Sequence, residues 1–153
     1  MAKILVTGVA GFVGSNLVDS LLSDSQEVFG IDNFCTGSPA NIAHLAGSAN
    51  FTFLERDIIT GLGDFERIKF DQIFHLASPA SPPRYMELAV ETMHVNTTAT
   101  ELLLHHATKN GSRLLFASTS EIYGDPHEHP QRESYWGNVN PIGPRSPSSR
   151  SMM

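Results

Sequence analysis

The sequence predicts an α/β fold, in which helices cover both faces of a doubly wound parallel sheet. Short apolar runs alternate with amphipathic stretches along the chain, and a glycine-rich turn separates the first run from the first helix. Strands that alternate with helices imply parallel pairing through right-handed crossovers. The runs are apolar on both of their faces, as is typical of strands buried between two helical layers. Five such runs are present where this class usually has six strands, so we expect an incomplete sheet.

Five strands are predicted from β-branched and apolar runs that end in Gly, Asp or Ser. The first reads "KILVTG" and the second "EVFGID"; later runs read "FTFLERD", "DQIFHLAS" and "SRLLFAST". In order along the chain they occupy residues 3–8, 27–32, 51–57, 71–78 and 112–119.

Helical spacing of apolar residues predicts three helices. The first covers 12–22, a short one covers 39–47, and the longest runs from about 84 to 109, with Gly111 as its stop signal. One stripe of the longest helix is expected to face the core. It comprises Tyr85, Leu88, Ala89, Thr92, Val95, Asn96, Ala99, Leu102, Leu103 and His106. From Gly124 onward the chain is rich in Pro, Gly, Asn and Ser and is predicted to be loop.

Composition excludes several classes of function. The 153 residues carry a net charge of -6, and the ten Lys and Arg are scattered, which argues against a nucleic-acid partner. No apolar run approaches the roughly 18 residues of a membrane span, so no membrane partner is expected. A single cysteine, Cys35, cannot form an internal disulfide and suits a reducing compartment. We therefore expect a cytoplasmic protein.

The turn "TGVAGFVG" carries the main chemical signal. Gly8, Gly11 and Gly14 are spaced three apart between the first strand and its helix. In this context the first glycine permits a tight turn, the second lets the backbone approach a diphosphate, and the third lets the helix pack on the strand. Free N–H groups and the helix dipole would then hold the anion. The pattern predicts a dinucleotide site.

An acid at the end of the second strand strengthens this interpretation. Asp32 can accept hydrogen bonds from the adenosine ribose hydroxyls, and its charge would repel a 2′-phosphate, so NAD is favoured over NADP. Asp57, after the third strand, is a candidate for the adenine edge. The alternative interpretation is an ordinary turn followed by surface acids. For Asp57, judged from its position alone, a loop acid explains the residue nearly as well as an adenine contact does.

These motifs resemble the extended short-chain dehydrogenase/reductase family of NAD-dependent epimerases and dehydratases. The resemblance begins with "TGVAGFVG", "DN" at 32–33, "HLAS" at 75–78 and Asn96. The segments "HLASPASP", "LLFASTSEIYGDPHEHPQ" and "ESYWGNVNPIGPRS" resemble UDP-glucuronate decarboxylases, over residues 1–146 in all. The family implies a Rossmann-like domain that binds NAD. Its cofactor residues would be Gly8, Gly11, Phe12, Val13, Gly14, Asp32, Asn33, Phe34, Thr36, Gly37, Asp57, Ile58, Leu76 and Ser78.

The same resemblance implies the chemistry. Thr119, Ser120 and Glu121 would lie near the sugar of UDP-glucuronate, with Thr119 bonding the C4 oxygen and Glu121 as an acid/base or orienting group. Oxidation at C4 makes a β-keto acid, which loses carbon dioxide before the hydride returns. Related 4,6-dehydratases have Asp where this chain has Ser120, which disfavours elimination, and "PIGPRS" favours a decarboxylase over a 4-epimerase.

The resemblance breaks at the end of the chain. Family members carry a Tyr-x-x-x-Lys pair after "GPRS", whose Tyr acts as the base at the C4 hydroxyl, whereas this chain reads "PSSRSMM". We interpret 1–136 as the NAD-binding domain and 137–153 as an irregular, interrupted ending. We therefore expect no catalysis from this chain; the alternative is a non-catalytic NAD-binding module. The parent is expected to be a homodimer that uses the long helix, and the missing parts would leave an apolar patch exposed.

Four remaining features are weaker signals. Glu91 and His94 replace residues of the family pattern, which has a Lys near the cofactor and sugar. The "HEH" motif at 127–129 lacks further ligands and is predicted to be a surface loop, so no metal site is expected. Cys35 lies near the expected adenosine. Trp136 is predicted to pack within its loop.

Overall fold

A computed structural model describes residues 1–140, which form one five-stranded sheet with helices on both sides. The predicted fold class is confirmed. The strands are β1 (Lys3–Thr7), β2 (Glu27–Asp32), β3 (Phe51–Glu55), β4 (Gln72–His75) and β5 (Arg113–Phe116). The helices are α1 (Phe12–Ser23), α2 (Pro82–Glu87), α3 (Ala89–Asn96) and α4 (Thr98–Asn110).

The sheet is parallel throughout, in the order β3-β2-β1-β4-β5. The chain moves outward from β1 to β3 and then returns to the other side of β1 with β4. The winding therefore reverses beside β1, where Thr7 is paired with Ile31 on one side and His75 on the other. Ligands of such sheets bind beyond the carboxyl ends of the strands at this reversal.

A separate hydrophobic core lies on each face of the sheet, because successive side chains of a strand point to opposite faces. Leu5 belongs to one core and its neighbours Ile4 and Val6 to the other. Helix α4 covers the first core through Leu103, and α1 covers the second through Val18. These two layers of helices explain why the strands are apolar on both faces.

The predicted single helix over 84–109 is wrong in detail, since it consists of α2, α3 and α4. The breaks fall at Leu88 (φ -109°, ψ 43°) and Thr97 (φ -113°, ψ -71°). Thr97 and Thr100 donate their hydroxyls to the carbonyls of Met93 and Asn96, a competition that bends helices. Gly111 ends α4 in the left-handed conformation (φ 71°), as predicted.

Other boundaries also differ from the predictions. The predicted helix over 39–47 is two 3-10 turns, Pro39–Asn41 and Ala43–Leu45. β3, β4 and β5 end before their predicted limits because the residues that follow turn away from the sheet. Leu102, assigned to the buried stripe, is exposed, whereas the other stripe residues of α4, Ala99, Leu103 and His106, are buried as predicted.

Residues 117–140 contain one 3-10 turn, Ser120–Tyr123, and no longer helix or strand. The loop is held by an isolated bridge between Gly124 and Asn138. Trp136 is 97% exposed, so the prediction that it packs within its loop is wrong. The prediction for 141–153 concerns residues outside the described range. No helix within residues 1–140 has both the length and the apolar character needed to cross a bilayer.

Candidate functional site

The glycine turn after β1 begins with a backbone that only glycine adopts easily. Gly8 has φ +76°, and its N–H donates to the Ile31 carbonyl of β2 (2.8 Å). A Cβ at Gly8 would lie 2.8 Å from the backbone nitrogen of Ala77, which follows β4. The turn is therefore wedged between the ends of the neighbouring strands, as the tight-turn role of Gly8 predicts.

Gly14 lets α1 pack directly on that turn. A Cβ at this position would lie 2.1 Å from the Gly8 carbonyl oxygen, a separation that no side chain tolerates. The close packing expected of the third glycine is confirmed. Helix α1 starts behind Gly11, which supplies no side-chain cap, so the N–H groups of the first turn remain available to an anion. This is the geometry that a bound diphosphate requires.

Asp32 is fixed in place at the end of β2. It is 8% exposed, and its Oδ2 accepts the Ala10 N–H (2.9 Å) while Oδ1 accepts the Phe34 N–H (2.8 Å). Each carboxylate oxygen can accept a second hydrogen bond. Asp32 thus joins the glycine turn to the loop after β2 and keeps acceptor capacity for ligand hydroxyls.

A cleft opens between the ends of β3 and β4, over the glycine turn. Ten of the fourteen predicted cofactor residues line it. They are Gly8, Gly11, Asp32, Asn33, Thr36, Gly37, Asp57, Ile58, Leu76 and Ser78. Because the predicted residues come from four separate strand ends, the parallel sheet is what brings them together.

The other four predicted cofactor residues are not part of the cleft lining. Gly14 packs against Gly8 on the side of α1. The Phe34 ring packs on the ring of Phe53, with 5.5 Å between centroids. Phe12 and Val13 project from the first turn of α1 and are exposed, at 83% and 63%. Both are thus apolar side chains on the surface at the mouth of the glycine turn.

Several lining residues were not predicted as cofactor residues. They are Ile31, Cys35, Arg56, Ile59, Ala77, Pro79, Glu91 and Val95. Most are neighbours of predicted positions and follow from them once the strand ends are placed. Glu91 and Val95 are different, because α3 carries them to the cleft from a part of the chain that has no strand end. The resemblance to the family had already singled out Glu91, whereas only the packing of α3 reveals Val95.

The charges around the cleft are mostly acidic. Asp57 accepts the Ile59 N–H at Oδ1 (3.1 Å) and caps a 3-10 turn. Arg56 uses its guanidinium on the carbonyls of Gly61 (2.8 Å) and Thr60 (2.7 Å). Glu91 is exposed to the cleft. The lining therefore contains three carboxylates, those of Asp32, Asp57 and Glu91, and one arginine whose guanidinium donates to carbonyls.

His75 ties α3 to the strands beneath the cleft. Its Nδ1 is 2.7 Å from the Thr7 hydroxyl and its Nε2 is 3.1 Å from the Val95 carbonyl. A carbonyl only accepts, so Nε2 carries the proton and Nδ1 accepts from Thr7. Burial lowers the pKa of His75 below its ordinary value, partly offset by the hydrogen bond to Val95. The neutral imidazole therefore holds a helix that lines the cleft.

Asn96 extends this connection to the loop after β4. Its Nδ2 donates to the Ser78 hydroxyl (3.1 Å) and to the Thr92 carbonyl (2.9 Å). Among the described residues, Asn96 Oδ1 and Thr92 Oγ1 are buried without a hydrogen-bond partner. Asn96, singled out by sequence, thus supports the cleft from behind Ser78.

The predicted catalytic residues lie after β5, away from the cleft lining. Thr119 Oγ1 accepts the Glu121 N–H (3.2 Å) and caps the 3-10 turn Ser120–Tyr123. Their position is the carboxyl end of a strand next to β4, as expected for groups that act beside a ligand bound over β1. Residues 1–140 contain no cluster of three His, Cys, Asp or Glu side chains able to hold a metal ion.

Comparison with known proteins agrees with this geometry. The chain is 53% identical to UDP-glucuronic acid decarboxylase 1 of Danio rerio over 144 residues, 94% of this chain and 34% of that protein. The UDP-Glc/GlcNAc 4-epimerase of Campylobacter jejuni superposes with a TM-score of 0.81 at 31% identity, covering 99% of this chain and 47% of that one. The Bordetella bronchiseptica enzyme WbmG, in complex with NAD, gives 0.83 at 27% identity, covering 99% and 46%.

The chain spans about a third of the length of the decarboxylase and about half of each enzyme of known structure. The part that it shares with them contains the glycine turn. The sequence pattern of the NAD dependent epimerase/dehydratase family matches residues 4–151. The chain belongs to that family, whose cofactor is NAD.

Proposed function

We propose that the chain is the NAD-binding part of a nucleotide-sugar enzyme, a UDP-glucuronate decarboxylase. The observation that carries the proposal is the glycine turn, with Gly14 packed on Gly8 and Asp32 held beside it. A Cβ at Gly14 would destroy this cradle, and the uncapped first turn of α1 suits a diphosphate. The residues present therefore fit NAD.

Different residues of the cleft would contact different parts of the dinucleotide. Asp32 would accept the adenosine ribose hydroxyls, Asp57 and Ile58 would contact the adenine, and Gly8 and Gly11 would let the diphosphate approach the free N–H groups of the first turn of α1. Ser78, whose hydroxyl accepts a hydrogen bond from Asn96, would face the nicotinamide half of NAD. When bound, NAD supplies the acceptor for a hydride from the sugar.

Titration calorimetry with NAD and NADP tests this assignment on the full chain. We expect NAD to bind more tightly, since the Asp32 carboxylate opposes a 2′-phosphate. Replacing Asp32 by Ala removes charge-assisted hydrogen bonds of about 1.5–3 kcal/mol each, so NAD affinity should fall at least about tenfold. Asp64→Ala, on an exposed turn outside the cleft, is the matched control. A folded wild-type chain that releases no heat with NAD would contradict the proposal.

The turn after β5 supports decarboxylation over elimination. Ser120 stands between Thr119 and Glu121, so the turn offers one carboxylate and not two. We propose UDP-glucuronate as the substrate of the full-length parent. Thr119 would bond the C4 oxygen, and Glu121 would orient the sugar or exchange a proton with it.

We further propose that these 153 residues alone do not complete the reaction. None of the chain's three tyrosines, Tyr85, Tyr123 and Tyr135, has a lysine four residues later, so the chain has no candidate for the base at the C4 hydroxyl. Incubation with UDP-glucuronate and NAD should yield no UDP-xylose. Its appearance would contradict the proposal. A non-catalytic NAD-binding module is the second candidate, favoured by the same missing pair and distinguished by NAD binding without turnover.

A homodimer of the parent is proposed from the outer side of the helices after β4. Exposed apolar side chains occur on all three helices, namely Met86 of α2, Val90 and Met93 of α3, and Leu102 and Leu104 of α4. Contiguous exposed apolar surface is typical of a site of protein–protein contact. The cytoplasm is the compartment we propose, on the basis of the unpaired Cys35 thiol.

A further inference from the structure

The two walls of the cleft are joined at their rim by one side chain. One wall is the loop after β2, which includes Asn33, Cys35, Thr36 and Gly37. The opposite wall includes Pro79 and Glu91, and α2 lies between these two in the chain. Arg84 of α2 donates from Nη2 to the Cys35 carbonyl at 3.0 Å. This hydrogen bond connects segments 49 residues apart.

The guanidinium of Arg84 is held ready for this contact. Its Nη1 pairs with the Glu87 carboxylate at 2.6 Å, within the same helix. The guanidinium presents its donors in a rigid fork, so fixing one end orients the other. Glu87 therefore aims Arg84 at the loop after β2.

The other hydrogen bonds described for the loop after β2 come from its own side of the cleft. Phe34 has a left-handed backbone (φ +57°), stabilised by its N–H donating to Asp32. The Cys35 N–H donates to Asn33 Oδ1 at 3.0 Å, and the Ser38 N–H donates to the Ala10 carbonyl at 3.0 Å. Both of these acceptors lie on the same wall. The Arg84 bond, by contrast, reaches across to the opposite wall.

We propose that Arg84 is a positioning residue for the dinucleotide: by fastening Cys35 to α2, it keeps the two walls joined over the bound molecule and slows its release. The proposal rests on the proposed function, in which this cleft binds NAD. Arg84 does not line the cleft itself. Replacing Arg84 should therefore change how readily the two walls separate.

Release of the reduced cofactor tests this role on the full chain. NADH bound to the protein is displaced by excess NAD, and the fluorescence change gives the dissociation rate. We expect Arg84→Ala to speed release about three- to tenfold, the loss of one charged hydrogen bond at a half-exposed site. Arg84→Lys, which keeps one donor without the fork, should give an intermediate rate. Glu87→Gln, which weakens the pair that orients Arg84, should also give an intermediate rate, and Arg67→Ala, at an exposed arginine outside the cleft, should stay within about twofold of the wild type.

Two further readouts separate positioning from general stability. Cys35 is the only cysteine, so its alkylation rate with NAD bound reports opening of this wall, and it should rise in Arg84→Ala. The midpoint of thermal unfolding without NAD should fall by no more than a few degrees in Arg84→Ala, so that NADH release is compared between folded chains. Equal release rates for Arg84→Ala and wild type would overturn the inference while leaving the NAD site intact. A wild type that retains no NADH would overturn both.

Discussion

The two walls of the cleft are built differently. On the wall formed by the glycine turn and the loop after β2, hydrogen bonds fix the turn and the loop to each other: Asp32 accepts from Ala10 and Phe34, and Asn41 donates to the Ala10 carbonyl at 2.7 Å. On the wall formed by α3 and the loop after β4, Thr92 Oγ1 and Asn96 Oδ1 are buried without partners among the described residues.

The difference indicates that the two walls contribute differently to ligand binding. A wall whose turn and loop are fixed to each other is rigid, so it can hold the free N–H groups of α1 in place for a diphosphate before binding. An unpaired buried polar group costs about 1–3 kcal/mol, so the α3 wall is the less stable of the two. We therefore expect changes on the first wall to abolish binding, and changes on the α3 wall to adjust it.

The largest effect is expected from Gly14→Ala. The new Cβ would lie 2.1 Å from the Gly8 carbonyl, so α1 must move away from the turn and the diphosphate cradle opens. We predict a loss of NAD affinity of at least about 100-fold and a decrease of about 2–3 kcal/mol in the free energy of unfolding. Calorimetry and denaturant unfolding measure the two.

Gly47→Ala is the control for this change. Gly47 has a positive φ (+82°), but a Cβ at this position would have no other atom within 4 Å. Backbone strain alone should cost about 1 kcal/mol and leave NAD affinity unchanged. Equal NAD affinities for Gly14→Ala and the wild type would mean that the first wall is not a preformed cradle.

An intermediate effect is expected from acid, through His75, which links the α3 wall to β1 and β4. Because burial lowers the pKa of His75 in the folded protein, protons bind preferentially to the unfolded chain. Its contribution to stability is complete above the unfolded pKa of about 6.5 and is lost as the pH falls through the folded value. The free energy of unfolding should decline by up to about 1.4 kcal/mol per pH unit in that window.

His75→Gln should flatten this pH dependence while lowering stability at pH 8. His105→Gln, on the exposed side of α4, should keep the slope of the wild type. Denaturant unfolding between pH 5 and 8 makes the comparison. If both variants retained the same slope, the buried imidazole would not be the group that titrates.

The smallest effect is expected from Glu91→Gln on the α3 wall. Its carboxylate lines a cleft whose one arginine is occupied by carbonyls, so it repels the phosphates of NAD. Removing the charge should tighten NAD binding about two- to threefold at low salt, and added salt should erase the gain. Glu101→Gln, exposed on α4 outside the cleft, should change nothing. Weaker NAD binding by Glu91→Gln would show that the carboxylate contacts the ligand favourably.

Local patterns were sufficient for most of the cleft. The glycine spacing predicted the turn, because the steric demands at Gly8 and Gly14 are met by one residue type. Asp32 and Asp57 were found because strand ends in a parallel sheet converge. The helices after β4 were less predictable, because the backbone leaves helical geometry at Leu88 and Thr97 within a continuous apolar stripe of the sequence. The exposure of Trp136 had no signal in the sequence.

The sequence by itself determined the fold class, the NAD cradle and the acidic partner at the end of β2, because each depends on residues close together in the chain or on a regular strand pattern. Only the tertiary structure decided that α3 brings Val95 to the cleft, and that Arg84 reaches Cys35. These contacts join segments far apart in sequence, and their geometry follows from how the helices pack on the sheet.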